Sequence, residues 1–288
     1  MAQSDADNGG AANLDPGIVH GFGEQWTKYD QAAMPEDDVQ REFDGYFDIF
    51  PWELVGKDTT GFDMGCGTGR WAKLVAPRVG HLNCIEPSRA VETARKKLTD
   101  ADITNASFFQ AGVGNPPLPE KSQDFGYVLG VLHYVPDPVA GLNACVKLLK
   151  PGAPLLVYVY YRFDNRPLWF RALWQASDVM RRIVSALPFG LRNVVTNLIA
   201  LLAYWPLSRL SLVLEKLGFN VDGIPLSENR RETFYYMKTL SLDRFGSRIE
   251  HRFTRKELEN MLKDAGCENI RFSDKVYWAA SATRRRDA

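Results

Sequence analysis

The chain is poor in the residues that usually announce metal or redox chemistry. Its four cysteines, Cys66, Cys84, Cys145 and Cys267, stand far apart, and there are only four histidines. No metal site or disulfide framework is therefore expected, and the thiols read as reduced in a cytoplasmic protein. Net charge is also missing: 35 Lys/Arg balance 35 Asp/Glu, so bulk electrostatics selects no partner. No basic segment followed by an apolar run opens the chain, and residues 1–20, small and polar at their start, read as a disordered tail. The longest apolar stretch, Val194–Pro206, is broken by Thr196 and Asn197. It falls short of the roughly 20 residues that cross a bilayer.

What is present is ordinary globular composition, 45% hydrophobic and 24% charged over 288 residues. That allows one large domain, or one domain with a sizeable insertion. Charge is unevenly spread. Residues 162–256 hold 16 Lys/Arg against 8 Asp/Glu, so this third carries +8 and the remainder −8. Either solvated arginines or an anionic ligand or surface would account for it.

From residue 60 a strand–helix beat begins. Short apolar runs at 60–64, 81–85, 106–110, 124–132 and 153–161 alternate with helical spacing at 70–79, 89–98 and 138–149. Continuous hydrophobicity in the strands implies burial on both faces, hence an open α/β sheet with helices on both sides. The beat stops over 162–252, which is helical in period. It resumes with a helix at 255–265, capped by Thr254, and two strands near 268–274 and 276–283.

The first strand ends in Asp63 and runs into Gly65-Cys66-Gly67-Thr68-Gly69, and the second ends at Glu86-Pro87. Glycines let a ligand approach the backbone, the helix expected from Arg70 offers unpaired N–H groups, and an acid at the second strand end can accept both ribose hydroxyls of an adenosine. The spacing is G-x-G-x-G rather than the dinucleotide G-x-G-x-x-G. Asp63 would repel a pyrophosphate but attract the ammonium of an amino acid, which favours S-adenosylmethionine over NAD.

The runs Asp63–Gly69, Ile85–Ser88, Asp124–Val128, Leu132–Val135 and Leu148–Gly152, with the closing Phe253–Leu258 and Ala265–Cys267, resemble the successive motifs of class I S-adenosylmethionine-dependent methyltransferases. The resemblance covers about 60–161 and 253–283. It implies a Rossmann-like, seven-stranded, mostly parallel sheet with the last strand reversed, and S-adenosyl-L-methionine as cofactor. It assigns Asp63, Gly65 and Gly67 to the methionine moiety, Glu86 to the ribose and Gly130 to the methionine carboxylate or sulfur, with Cys66, Gly69 and Pro87 also cofactor-binding. An acid commonly found after the third strand is replaced by Ala111–Asn115, leaving adenine to the backbone around Val113. No Asn/Asp-Pro-Pro-aromatic motif follows the fourth strand, so a nucleic-acid substrate is not expected.

The resulting organisation is a tail (1–20), an N-terminal helical lid (21–59), a cofactor-binding core (60–161), a helical cap (162–252) and the end of the core (253–288). Phe22, Trp26 and Tyr29 share one helical face. It either packs on the core or closes over the cofactor, which would bring Trp26 and Tyr29, with Gln25, to the ligand. Phe43, Tyr46, Phe47, Phe50 and Trp52 read as core. Oxygen acceptors need a proton acceptor, for which His133, His251 and Tyr134 are candidates. Tyr160, Arg230, Arg231, Tyr235 and Arg244 are candidates for holding the substrate. The expected function is methylation of an oxygen, or nitrogen, of a small molecule with an anionic or sugar-like part, by a monomer or homodimer. The alternatives are a lipid or quinone methyltransferase whose aromatic, basic cap meets a membrane surface, or a non-catalytic cofactor-binding subunit.

Overall fold

The computed structural model describes residues 13–28, 35–163, 167–221, 223–274 and 278–286, the side chains of Glu24, Gln25, Thr27 and Lys28 excepted. The chain divides into two compact units, Met1–Arg162 with Ile249–Ala288, and Phe163–Arg248.

The first unit is built on strands β1 (Thr60–Met64), β2 (His81–Ile85), β3 (Ala106–Phe109), β4 (Phe125–Leu129), β5 (Pro154–Tyr158), β6 (Cys267–Phe272) and β7 (Ala279–Arg284). They form one seven-stranded sheet in the order β3-β2-β1-β4-β5-β7-β6. β1 to β5 pair in parallel, and β7 runs antiparallel to both β5 and β6. The order reverses between β1 and β4, and ligands in such sheets bind beyond the carboxyl ends at that point. Both faces are covered. Phe62, Met64, Val128, Leu155 and Val157 face one core cluster, while Leu82, Phe125, Tyr127 and Leu156 face another with Phe43, Phe47 and Phe50. In register across β1 and β4, Gly61 stands opposite Phe125 and Gly126 opposite Phe62. A Cβ on either glycine would lie within 2.4 Å of its partner's ring, so the strands pair only because each ring meets a glycine.

The first unit's helices are α1 (Pro16–Lys28), α2 (Glu36–Phe47), α3 (Ala72–Val75), α4 (Ala90–Asp100), α5 (Pro138–Leu148) and, after the second unit, α10 (Arg255–Asp264). Two sequence expectations need correction. Residues 1–12 lie outside those described, but the tail expected to run to residue 20 ends earlier. Asp15 accepts the Ile18 N–H at 2.9 Å, Pro16 takes the first helical position, where its missing N–H costs nothing, and α1 is helical from there. Asn13 is buried and clamps the chain, donating to Asp137 O and accepting from Asp137 N. The helix expected over 70–79 is also much shorter. α3 has four residues and passes into a 3-10 turn, Ala76–Arg78, with Pro77 inside it. At α10 the Thr254 hydroxyl and the Glu257 carboxylate form a full capping box.

The second unit is helical: α6 (Leu168–Ser185), α7 (Phe189–Ile199), a π-turn (Ala200–Tyr204), α8 (Trp205–Lys216) and α9 (Phe234–Gly246). Here a third expectation fails. The π-turn joins α7 to α8 without a break, giving one helix, Phe189–Lys216, of 28 residues, whose most apolar 18-residue stretch has mean hydropathy 1.4; by length and composition it is long and apolar enough to cross a membrane. Pro206 does not end it, because the wider turn before the proline absorbs the missing hydrogen bond.

Candidate active site

The turn after β1 is held from below. The Gly65 and Cys66 N–H groups both donate to Ile85 O, at 2.7 and 3.1 Å, and Gly69 N donates to Cys66 O at 2.8 Å. Gly65, Gly67 and Gly69 have φ of 79°, 53° and 76°, the left-handed region that side chains resist. Their surroundings separate them into two kinds. A Cβ on Gly65 would strike Val131 Cγ2 at 2.2 Å, and one on Gly69 would press on Ala94 and Leu98, so these two serve packing. A Cβ on Gly67 would meet only the Trp26 indole nitrogen, at 3.9 Å, and one on Gly130 (φ 81°) would meet nothing within 4 Å. Gly67 and Gly130 thus present bare backbone to open space at the carboxyl ends of β1 and β4. Cys66 turns its thiol into the core beside Cys84, and burial with that neighbour pushes its pKa up. Only its backbone belongs to the loop surface.

Glu86, buried at the end of β2, braces this loop. One carboxylate oxygen accepts Gly67 N at 3.1 Å and the other Ser88 N at 3.0 Å. Burial raises its pKa against those bonds. Asp63, also buried, accepts the Tyr127 hydroxyl at 2.9 Å. Burial, with the charge of Glu86 adding to it against the Tyr127 bond, pushes its pKa from 3.8 up to about 8. Two like-charged carboxyls held out of water make a site that gains most from a cation. Tyr127 and Ser88 were not singled out from sequence, although the β1–β4 register that pairs Asp63 with Tyr127 carries the signal. Pro87 turns its carbonyl to Gln110, which donates to it at 3.2 Å. The Val113 side chain is buried in the core.

The N-terminal helix reaches this loop. Besides Trp26 beside Gly67, a Cβ on Gly23 would lie 3.4 Å from Ser88 Cβ. Phe22 stacks on Trp26 and packs on Tyr134 at 5.0 Å between centroids. Tyr29 lies outside the described residues.

Beyond Gly130 a 3-10 turn, Leu132–Tyr134, carries His133 into an aromatic cluster. Its ring stacks on Tyr160 at 3.8 Å and lies 4.3 Å from Tyr134, and the Tyr134 hydroxyl donates to that of Tyr160 at 3.1 Å. His133 is fully buried, and neither ring nitrogen has a hydrogen-bond partner among the described residues. Burial, then the positive Arg252 and His251, hold its pKa well below 6.5. The imidazole is neutral and a poor proton store. His251 is committed elsewhere: Nε2 meets Val135 O at 3.1 Å and its N–H donates to His133 O at 2.8 Å. Arg252 pairs with the buried Glu250 carboxylate at 2.7 Å and lies over the Tyr160 ring.

The remaining substrate candidates belong to the second unit. Arg230 and Arg231 both bind Glu215, at 2.5 and 3.1 Å. The Arg230 hydrogen bond first, then Arg231, holds Glu215 down to about 2. Arg244 is buried among Ser177 (3.2 Å), Asp178 (3.7 Å) and the Trp174 ring. Tyr235 opens α9, where its carbonyl accepts the Thr239 hydroxyl. Glu215 and Asp178 are the partners of Arg230, Arg231 and Arg244, across sequence separations that periodicity does not reveal.

An open α/β sheet with a glycine turn at its switch point, two buried acids and backbone bared at Gly67 and Gly130 defines a nucleoside-binding core suited to a cationic ligand. Comparison with known proteins narrows that class. Residues 62–157 match a methyltransferase domain family. A demethylmenaquinone methyltransferase of Listeria monocytogenes is 30% identical over 105 residues, 35% of this chain and 44% of that protein. A ubiquinone biosynthesis O-methyltransferase of Alkalilimnicola ehrlichii is 30% identical over 151 residues, 45% and 56% of the two chains. The chain thus spans about half the length of these curated relatives. Among solved structures, the methyltransferase chain in a Haloferax volcanii complex with the Trm112 activator aligns with TM-score 0.53 at 15% identity, over 92% of this chain and 97% of that one. An S-adenosylmethionine-dependent methyltransferase of Thermotoga maritima aligns with TM-score 0.50 at 16% identity, over 93% and 100%. At such identities the likeness speaks for the fold. Residues 62–157 thus match a methyltransferase domain, the sheet around them has the fold of S-adenosylmethionine-dependent methyltransferases, and S-adenosyl-L-methionine is the cofactor that such a domain implies.

Proposed function

We propose that the protein transfers the methyl group of S-adenosylmethionine to an oxygen of a hydroxylated aromatic small molecule of the quinol kind. The observation that carries the reading is the pairing of a buried, cation-seeking acid site at Asp63 and Glu86 with an unpartnered neutral imidazole at His133. Names of the relatives support the acceptor class. The anionic or sugar-like acceptor loses its main support, because Arg230, Arg231 and Arg244 already face carboxylates of their own unit.

The sulfonium supplies an already activated methyl group, so the protein's work is to bind, align and exclude water. Glu86 would hold the ribose hydroxyls and Asp63 the ammonium, and the backbone at Gly67 and Gly130 would let the cofactor approach closely. Trp26 stands beside Gly67 on the N-terminal side. His133 would accept a hydrogen bond from the acceptor hydroxyl and orient it; as the oxygen takes the methyl group and S-adenosylhomocysteine leaves, the hydroxyl proton goes to solvent water, because the depressed pKa keeps the imidazole from storing it.

Calorimetry on the whole chain, followed by transfer of a labelled methyl group to hydroquinone-type acceptors, tests both halves. No S-adenosylmethionine binding would sink the reading entirely. Binding without transfer to any hydroxylated aromatic would remove the acceptor class and leave the cofactor assignment standing.

A further inference from the structure

The second unit is turned inside out. Along the 28-residue helix Phe189–Lys216 the exposed positions are apolar: Leu191, Val194, Leu198, Leu202, Leu210 and Val213, with Leu202 at 73% exposure. Their three- and four-residue spacing, with the exposed Pro206 midway between Leu202 and Leu210, makes one continuous stripe. The opposite stripe, which packs inward, is made of Asn193, Thr196, Ala200, Ser208 and Ser211. Those polar groups are satisfied inside the unit. Ser241 of α9 donates to Thr196 O at 2.8 Å, the Thr196 hydroxyl to Asn193 O, and the Ser208 and Ser211 hydroxyls to Trp205 O and Leu207 O. α6 repeats the pattern, exposing Leu168, Trp169, Leu173 and Ile183 while burying Arg181 and Ser185. Small polar residues inside with leucines outside is an arrangement that water penalises and hydrocarbon rewards.

We propose that this face docks on a lipid bilayer carrying anionic headgroups. Charge selects that occupant over a second copy of the chain. Residues 168–220 hold six Lys/Arg against two Asp/Glu, with Arg171, Arg182 and Lys216 exposed. Two such faces apposed would repel, whereas an anionic surface supplies the missing counter-charge. Arg209 lies 3.8 Å over the Trp205 ring, the aromatic–cation pairing that suits the boundary between headgroups and chains. The helix lies on the bilayer rather than through it. Its inner stripe packs on α9, and α9 carries Lys238, Asp243 and Arg244, charges that do not cross hydrocarbon. The docking stands whatever molecule is methylated.

The test is flotation of the whole chain with phosphatidylcholine vesicles, with and without phosphatidylglycerol, at low and high salt. The protein floats with phosphatidylglycerol vesicles at low salt and is released by high salt. Arg171→Gln and Lys216→Gln each weaken recovery by about fivefold, the fold-change of one basic residue at an anionic surface. Leu198→Ser with Leu202→Ser weakens it at least about tenfold, while cofactor binding by calorimetry, unchanged, shows that the variant folds. Protein left unbound on every vesicle overturns the proposal. So does a dimer in light scattering that Leu202→Ser dissociates, which gives the face to a second copy.

Discussion

The two units of this chain solve the burial problem in opposite ways. In the first, rings and aliphatic side chains lie inside on both faces of the sheet, and among the described residues only Leu54 and Val139 of its large apolar side chains stand in the open. In the second, the helices bury threonine, serine, asparagine and arginine beside a small apolar core of Val184, Met237, Leu242 and Phe245, and fifteen large apolar side chains between 168 and 219 are exposed. The contrast teaches that helical periodicity marks two faces without saying which meets protein. A core is defined by where water cannot go, and in the second unit that rule has been applied to a different solvent.

Four measurements would break or sharpen this contrast, the first expected to show the largest effect. Glu86→Ala removes the proposed acceptor of two ribose hydroxyls and the brace of the Gly67 loop. Cofactor affinity should fall about 100-fold or more, since hydrogen bonds to a charged group contribute about 1.5–3 kcal/mol each. Vesicle flotation by the same variant should be untouched, and a joint loss would mean that the two units do not act separately. Next, Leu155→Ala in the sheet core should cost about 3 kcal/mol in denaturant unfolding, whereas Leu202→Ser should stay within about 0.5 kcal/mol or stabilise. Equal losses would erase the inside-out reading.

The third concerns pH. Without cofactor the Asp63 carboxyl keeps its proton up to about pH 8, against 3.8 for its ordinary value. Its contribution to stability is therefore full below pH 3.8, falls as pH rises through that window, and levels off above about 8. A cation binds the ionised form, so cofactor affinity should climb up to about tenfold per pH unit below pH 8 and then flatten. Calorimetry in buffers of different ionisation heat should register a proton released on binding, and Asp63→Asn should abolish both signals. The smallest effect is expected from His133→Phe, which keeps the ring stack on Tyr160 but removes the nitrogens. Turnover should drop about fivefold, the worth of one ordinary hydrogen bond, with cofactor affinity unchanged. An unaltered turnover would make His133 a wall.

Much of the first unit was legible in the residues. The strand–helix beat followed from continuous apolar runs and the reversed last strand from the resemblance to the methyltransferase family, while Asp63, the glycines and Glu86, singled out by their spacing, stand together at the carboxyl ends of β1 and β2. Strand ends were overrun by one to three residues, because Gly130 and the 3-10 turn at Leu132 end β4 although apolar character continues. The short α3 was missed since Trp71, Leu74 and Val75 keep helical spacing through a turn that Pro77 truncates. In the second unit the apolar stripe was visible, but Thr196 and Asn197 were read as interruptions of a span. They are neighbours on an inward-turned polar side, with Thr196 and Asn193 fully or nearly buried. The arginine partners, Glu215 and Asp178, depend on helix packing that no local pattern encodes.

One small feature of the first unit has a wider reach. Tyr161 bridges in parallel to Phe253, Arg162 N donates to Phe253 O at 2.9 Å, and Phe253 N donates to Tyr160 O at 2.9 Å. The chain therefore leaves the sheet and re-enters it through the same hydrogen-bonded gate, 90 residues apart in sequence and side by side in space. An insertion hung on such a gate can be lengthened, exchanged or rewritten by evolution while the cofactor machinery stays in register. The second unit thereby becomes an interchangeable attachment, and the glycine-turn site of the first a fixed socket.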